Sequence, residues 1–133
     1  MPYKKQRQVV YDKHNGHCAY CGDKISVKDM QIDHIIPQLN YELIFKNNIQ
    51  KMIPSFLKHL TIRDLHHIDN LNPACRVCNK WKSTYHLELF RYELQEQTKR
   101  LKLRSSNYRM ALRYGLVQET DVKIIFYFEA KIN

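Results

Sequence analysis

Two C-x-x-C pairs, Cys18 with Cys21 and Cys75 with Cys78, account for every cysteine in the chain. A C-x-x-C turn presents two thiolates along one edge of a tetrahedron, and two matched pairs complete the four-sulfur set that zinc accepts. The pairs stand 53 residues apart, 22 through 74, so one ion would clip a long loop at its base. Four thiolates leave no open coordination position, which makes the expected Zn²⁺ structural and not catalytic. A redox role for either pair alone is the competing reading. Disulfides are not expected. The N-terminal MPYKKQRQVVYDK lacks the apolar core of an export signal, and the compartment expected from that is the reducing cytoplasm. The longest apolar run, IIFYF at 124–128, has five residues, far short of the ~18 of a membrane span. At 133 residues the chain is one domain's worth, and a structural metal would help a core of that size.

Periodicity divides the rest. Pro2 suits a helix start and Gly16 a helix end, so a first helix is expected over 3–14. MQIDHIIP at 30–37 is β-branched, apolar and closed by Pro37, and reads as a strand. Residues 42–65 read as mostly helical, with Pro54 ending or kinking the stretch. Asn72 and Pro73 look like an N-cap and first helical position. Leu87, Phe90, Leu94 and Leu101 recur at helical spacing, which predicts one long amphipathic helix from 85 with Trp81 in the core. A short helix is expected over 107–114, ended by Gly115. In DVKIIFYFEA at 121–130, Val122, Ile124, Phe126 and Phe128 would share one face of a final strand. The fold class expected is α+β, in one domain.

Between and around the cysteine pairs lie Gln31-Ile32-Asp33-His34-Ile35-Ile36-Pro37-Gln38, then Asp69-Asn70-Leu71, then Cys75-Arg76-Val77-Cys78-Asn79-Lys80-Trp81-Lys82-Ser83. The combined pattern, C-x-x-C, D-H-I-x-P, D-N-L, C-x-x-C-N-x-x-K-S, resembles the HNH endonucleases, including the HNH domains of RNA-guided nucleases. The resemblance implies a ββα-metal core over 15–84, stapled by the four-cysteine zinc, with a helical insertion at 38–67 and a helical and strand extension at 85–133. It also implies hydrolysis of DNA phosphodiester bonds, with His34 as the general base. Asp33 and Asn79 would hold one catalytic Mg²⁺ or Mn²⁺, and Asn70 would hold the loop between strand and helix and orient the base. The third signature position is Asn79 and not histidine, so the variant is H-N-N. The residue chemistry agrees with this reading. A histidine titrating near ~6.5 is largely neutral at about pH 7 and can accept a proton. Mg²⁺ takes few protein oxygens and keeps its waters, leaving room for phosphate. Neighbours on a flat strand point to opposite faces, so Asp33 and His34 can share one site only near the strand end.

The formal charge of +9 and pI near 9.4 point to a polyanionic partner, with a merely solvated basic surface as the alternative; the resemblance implies that this partner is double-stranded DNA. Nine of the basic residues fall between Lys80 and Arg113, against three acidic ones. Arg76, Lys80 and Lys82 are the expected contacts to the DNA backbone, and His67 and His86 the histidines outside the motif nearest to it. His66 reads as a surface or turn residue. The 38–67 connection lacks glycine entirely and reads as inserted helices: a lid, a specificity element or a homodimer surface. Two readings from other classes compete: a zinc-dependent nucleic-acid-binding module without cleavage, and a protein-interaction domain built on 38–67.

Overall fold

The computed structural model describes residues 5–132, so the expected start of the first helix at Pro2 lies outside them. In chain order the elements are α1 (Arg7–Lys13), β1 (Gln31–His34), α2 (Tyr41–Lys46), β2 (Leu71–Ala74), α3 (Arg76–Lys82), α4 (Leu87–Gln95), α5 (Gln97–Arg104), α6 (Ser106–Arg113) and α7 (Tyr127–Ile132). The class is α+β: helices around a two-stranded antiparallel sheet.

In that sheet Asp33 stands opposite Asn72 and His34 opposite Leu71. Pro73 lies inside β2 and not at a helix start. It has no N–H to give, and in a two-stranded sheet every strand is an edge, so the missing donor costs little. The helix opens instead at Arg76, where Cys75 is the N-cap and its Sγ accepts from the Cys78 N–H at 3.3 Å. On one side of the sheet Val10 of α1 packs with Met30 and Leu71.

The larger core joins Tyr20, Phe90, Phe126 and Phe128 to the insertion residues Tyr41, Ile44, Ile53, Leu57 and Leu60. Tyr20 meets Phe90, Phe126 and Phe128 edge-on, at centroid distances of 5.6, 5.3 and 5.8 Å, the geometry that aromatic quadrupoles favour. The insertion is less helical than expected. After α2 the chain turns at Asn47 and Asn48, the latter at φ 51°, and only short 3₁₀ turns follow at Gln50–Met52 and Ser55–Leu57.

The long helix expected from 85 is two helices, broken at Glu96. α4 buries Leu87 and Phe90 against the core, whereas α5 has no buried residue. The expected final strand is extended chain leading into α7. Phe126 and Phe128 are buried but Val122 is exposed. The first-turn N–H groups of α7, which no helix can satisfy internally, donate to the knuckle: Tyr127 N to Tyr20 O at 3.1 Å and Phe128 N to Ala19 O at 2.8 Å. Arg91 clamps the segment from α4, donating to Glu129 at 2.6 Å and to Ile124 O at 2.7 Å. Trp81 is 49% exposed. The position beside it, Lys82, is the one that turns inward.

Two measurements test this packing. Phe126→Ala should cost about 3–5 kcal/mol in urea denaturation of the zinc-loaded protein, and Trp81→Ala less than about 1; the reverse order would refute the assignment. Burial, reinforced by the charges of Lys13 and Lys131, lowers the His14 pKa from 6.5 to about 4. The unfolded chain therefore binds the extra proton between those values. His14 should make stability rise with pH across that window, by up to about 1.4 kcal/mol per unit, and His14→Gln should remove that part of the slope.

Candidate active site and metal centre

The first cysteine pair sits in a knuckle whose return is made by Gly22 at φ +82°, its N–H donating to Cys18 O at 3.0 Å. A Cβ there would lie 2.6 Å from the Tyr127 ring, so both the backbone angle and α7 demand glycine. The second pair spans the start of α3. All four sulfurs lie within 4.8 Å of one another, and Cys21 and Cys75 are 3.9 Å apart. A tetrahedral zinc tetrathiolate with Zn–S bonds of ~2.3 Å has sulfur–sulfur edges of about 3.8 Å.

The donor chemistry fits as well. A hydrogen bond from Cys78 holds the Cys18 thiol down to about 4, against its burial. Burial, together with the Cys18 charge, pushes Cys21 up to about 12, and the shared hydrogen bond raises Cys78. A bound dication would stabilise the thiolate forms that these neighbours otherwise set against one another. None of the cysteines forms a disulfide. The four could hold a zinc ion.

The knuckle continues directly into a second polar cluster. Tyr20, between the two cysteines, donates its hydroxyl to Asp33 Oδ2 and receives Asn72 Nδ2 at 3.5 Å. From the opposite side comes Lys82 of α3. Its ammonium lies 3.2 Å from Asp33 Oδ2, 3.3 Å from Oδ1 and 2.9 Å from His34 O. Lys82 was expected on the DNA-facing surface; it is completely buried, and Asp33 is 5% exposed. Burial raises the Asp33 pKa and lowers that of Lys82, while their mutual attraction opposes both shifts.

Asp33 and Asn72, as cross-strand partners, share one face of the sheet, and His34 and Leu71 the other. Both Asp33 and His34 nonetheless border one open cleft of about 480 Å³, because β1 ends at His34. Gln38, Asn79, Ser83 and Thr84 complete the polar part of its wall. Asn79 is half-buried on α3, whereas Arg76 and Lys80 are exposed. Burial, with the nearby charges of His66 and Lys82, lowers the His34 pKa to about 4, so the ring is neutral at pH 7.

Asn70 is fully buried and brackets the insertion. Its Oδ1 accepts from Ile36 N at 2.8 Å, and its Nδ2 donates to Ile36 O at 3.2 Å and Leu65 O at 2.9 Å. Two neighbours of His34 had no sequence signal beyond their proximity to the motifs. His66 Nδ1 lies 3.0 Å and Gln38 Nε2 3.4 Å from His34 Nε2.

The basic run from 80 to 113 is partly neutralised from within. Arg100 pairs with Glu93 at 2.6 Å, Lys102 with Glu119 at 2.7 Å, Lys99 with Glu96 at 3.5 Å, and Arg91 belongs to the α7 clamp. Among the described residues no helix is long and apolar enough to cross a membrane. No protein-family model, curated protein or solved structure matches this chain.

The metal centre predicts one zinc per chain by elemental analysis. Cys75→Ala should abolish it together with cooperative thermal unfolding, because binding energy at such a site is folding energy. A Cys75→Ala protein that melts like the wild type would sink the staple.

Proposed function

We propose that the chain is a metal-dependent DNA endonuclease of the HNH type that hydrolyses phosphodiester bonds. The observation that carries this reading is the meeting of Asp33, His34 and Asn79 on one open cleft, joined through Tyr20 to the cysteine knuckle. β1 and β2 pair antiparallel and α3 follows β2, with α2 and the rest of the insertion between the strands, an arrangement compatible with a ββα unit, and Asn70 ties the connection between the strands. The net charge of +9 supports a phosphate-rich partner, double-stranded DNA.

His34 is the proposed base. Its neutral ring takes a proton from a water molecule; the oxygen so freed forms a bond to phosphorus, and the bond from phosphorus to the sugar oxygen breaks. Mg²⁺ or Mn²⁺ would be held by Asp33 and the amide oxygen of Asn79, hard donors of the kind these ions prefer. Asp33 has the capacity: Oδ2 accepts from Tyr20 and Oδ1 from Lys82, and each oxygen has two lone pairs. When bound, the ion neutralises charge on the phosphate and on the departing oxygen. Lys82 and Tyr20 fix the orientation of Asp33 and oppose the rise in its pKa that burial causes. Arg76 and Lys80, exposed on α3, would position the DNA backbone without reading bases.

A second reading, a zinc-dependent nucleic-acid-binding module without cleavage, is favoured by one feature. Asp33 is already engaged by Lys82 and Tyr20, and His34 by His66. A plasmid-nicking assay separates the two readings. Wild type should relax supercoiled DNA with Mg²⁺ or Mn²⁺ and stop in EDTA. His34→Ala should lose at least about 100-fold in rate while keeping its zinc and its DNA affinity. A wild-type protein that binds DNA but cuts nothing with any divalent metal would favour the binding module.

A further inference from the structure

The ring of His34 is held by a second imidazole. His34 Nε2 and His66 Nδ1 are 3.0 Å apart, and the rings meet edge-on with centroids 5.1 Å apart and planes at 63°. Ring nitrogens at that distance are joined by one hydrogen: one nitrogen donates it and the other accepts.

His66 is no freely moving surface residue, because hydrogen bonds hold its own carbonyl and both of its chain neighbours. Leu65 O accepts from Asn70 Nδ2 at 2.9 Å, and His66 O accepts from Gln6 Nε2 at 2.9 Å. The His67 ring accepts from Asp69 N at 3.0 Å, and Asp69 in turn pairs with His59 at 2.8 Å. The half-buried His66 ring is therefore presented to His34 by a pre-organised segment.

We propose that His66 is the positioning residue for His34: its Nδ1 accepts the Nε2–H of His34, fixing that tautomer and leaving the lone pair on His34 Nδ1. The inference rests on the hydrolase reading above, since a base is what needs positioning. Of the two ways of sharing the proton, only this one suits a base. In the reverse arrangement the His34 Nε2 lone pair is spent on His66, and Nδ1 carries a hydrogen. The amide of Gln38, 3.4 Å from the same nitrogen, can present its oxygen to the shared N–H once turned about its last torsion, because amide orientation follows the hydrogen-bond network. A partner that fixes a histidine's tautomer and orientation in this way is commonly worth about 10- to 100-fold in activity.

The test uses the zinc-loaded full chain in two measurements. Nitrogen-15 NMR of the histidine rings reads the tautomer of His34 directly, whether or not the protein cuts DNA. It should show Nε2–H in the wild type, a mixture in His66→Phe, and recovery of Nε2–H in His66→Asn, whose side-chain oxygen can accept from the same N–H. In the nicking assay His66→Phe should lower kcat about 10- to 100-fold with half-saturating DNA unchanged, and His66→Asn should regain most of the rate. A wild-type His34 in the Nδ1–H form, or a His66→Phe protein that cuts as fast as wild type, overturns the positioning role. A wild-type protein that cuts nothing while His34 stays in the Nε2–H form overturns the hydrolase reading and, with it, the base to be positioned, while the pairing of the rings stands.

Discussion

Four sulfur atoms within 4.8 Å of one another oblige residues 18–21 and 75–78 to be neighbours, and the positions of most other elements follow from that. Ala19, inside the first pair, donates its N–H to Pro73 O at 2.8 Å, so the knuckle lies along β2. Ala19 and Tyr20 turn their carbonyls to the start of α7, which brings Phe126 and Phe128 onto Tyr20. The second pair lies on the first turns of α3, and the same helix delivers Lys82 to Asp33 and Asn79 to the cleft. Opening this cluster would therefore remove more than a staple: the sheet, the aromatic core and the wall of the cleft all hang from the same two turns.

The Asp33–Lys82 pair is costly by itself. Both groups leave water, and a buried ion pair seldom outdoes a well-packed apolar pair of the same volume. Tyr20 and the His34 carbonyl reduce the cost by giving each ion a further hydrogen-bond partner. The gain is in geometry. The carboxylate is gripped from the knuckle on one side and from α3 on the other, so it has little freedom to rotate at the edge of the cleft. Removing either partner would leave a charge buried alone, at a cost of about 3–5 kcal/mol.

The legible parts of this fold are those fixed by local chemistry. The cysteine spacing announced the cluster, and the β-branched residues before Pro37 announced β1. What failed were inferences that required knowing the neighbours. Asn72-Pro73 has the grammar of a helix start, yet Pro73 fits a strand because that strand has only one hydrogen-bonded partner. The apolar alternation from Ile124 to Phe128 was real, but with no strand beside it among the described residues its backbone donors go to the knuckle, and a helix follows. Trp81 and Lys82 exchanged their expected places. Hydropathy puts the indole inside, but the buried Asp33 needs a cation, and Lys82 is the α3 side chain that reaches it. His66 carried no signal beyond its proximity to the motifs, since its significance lies in a contact with a residue 32 positions away.

The 38–67 segment is less separate from the chemistry than its length suggests. Gln38 opens it and His66 nearly closes it, and both meet His34 at the same nitrogen. Asn70 pins its base, binding Ile36 on one strand of the loop and Leu65 on the other. Its interior shares the main core through Tyr41, Ile44, Leu57 and Leu60, and Tyr41 spans it by donating to Thr61 O at 2.7 Å. Two of these anchors, Gln38 and His66, contact the His34 ring directly. In the proposed nuclease, whatever the insertion touches would thus be felt at the base, through contacts already present in the fold.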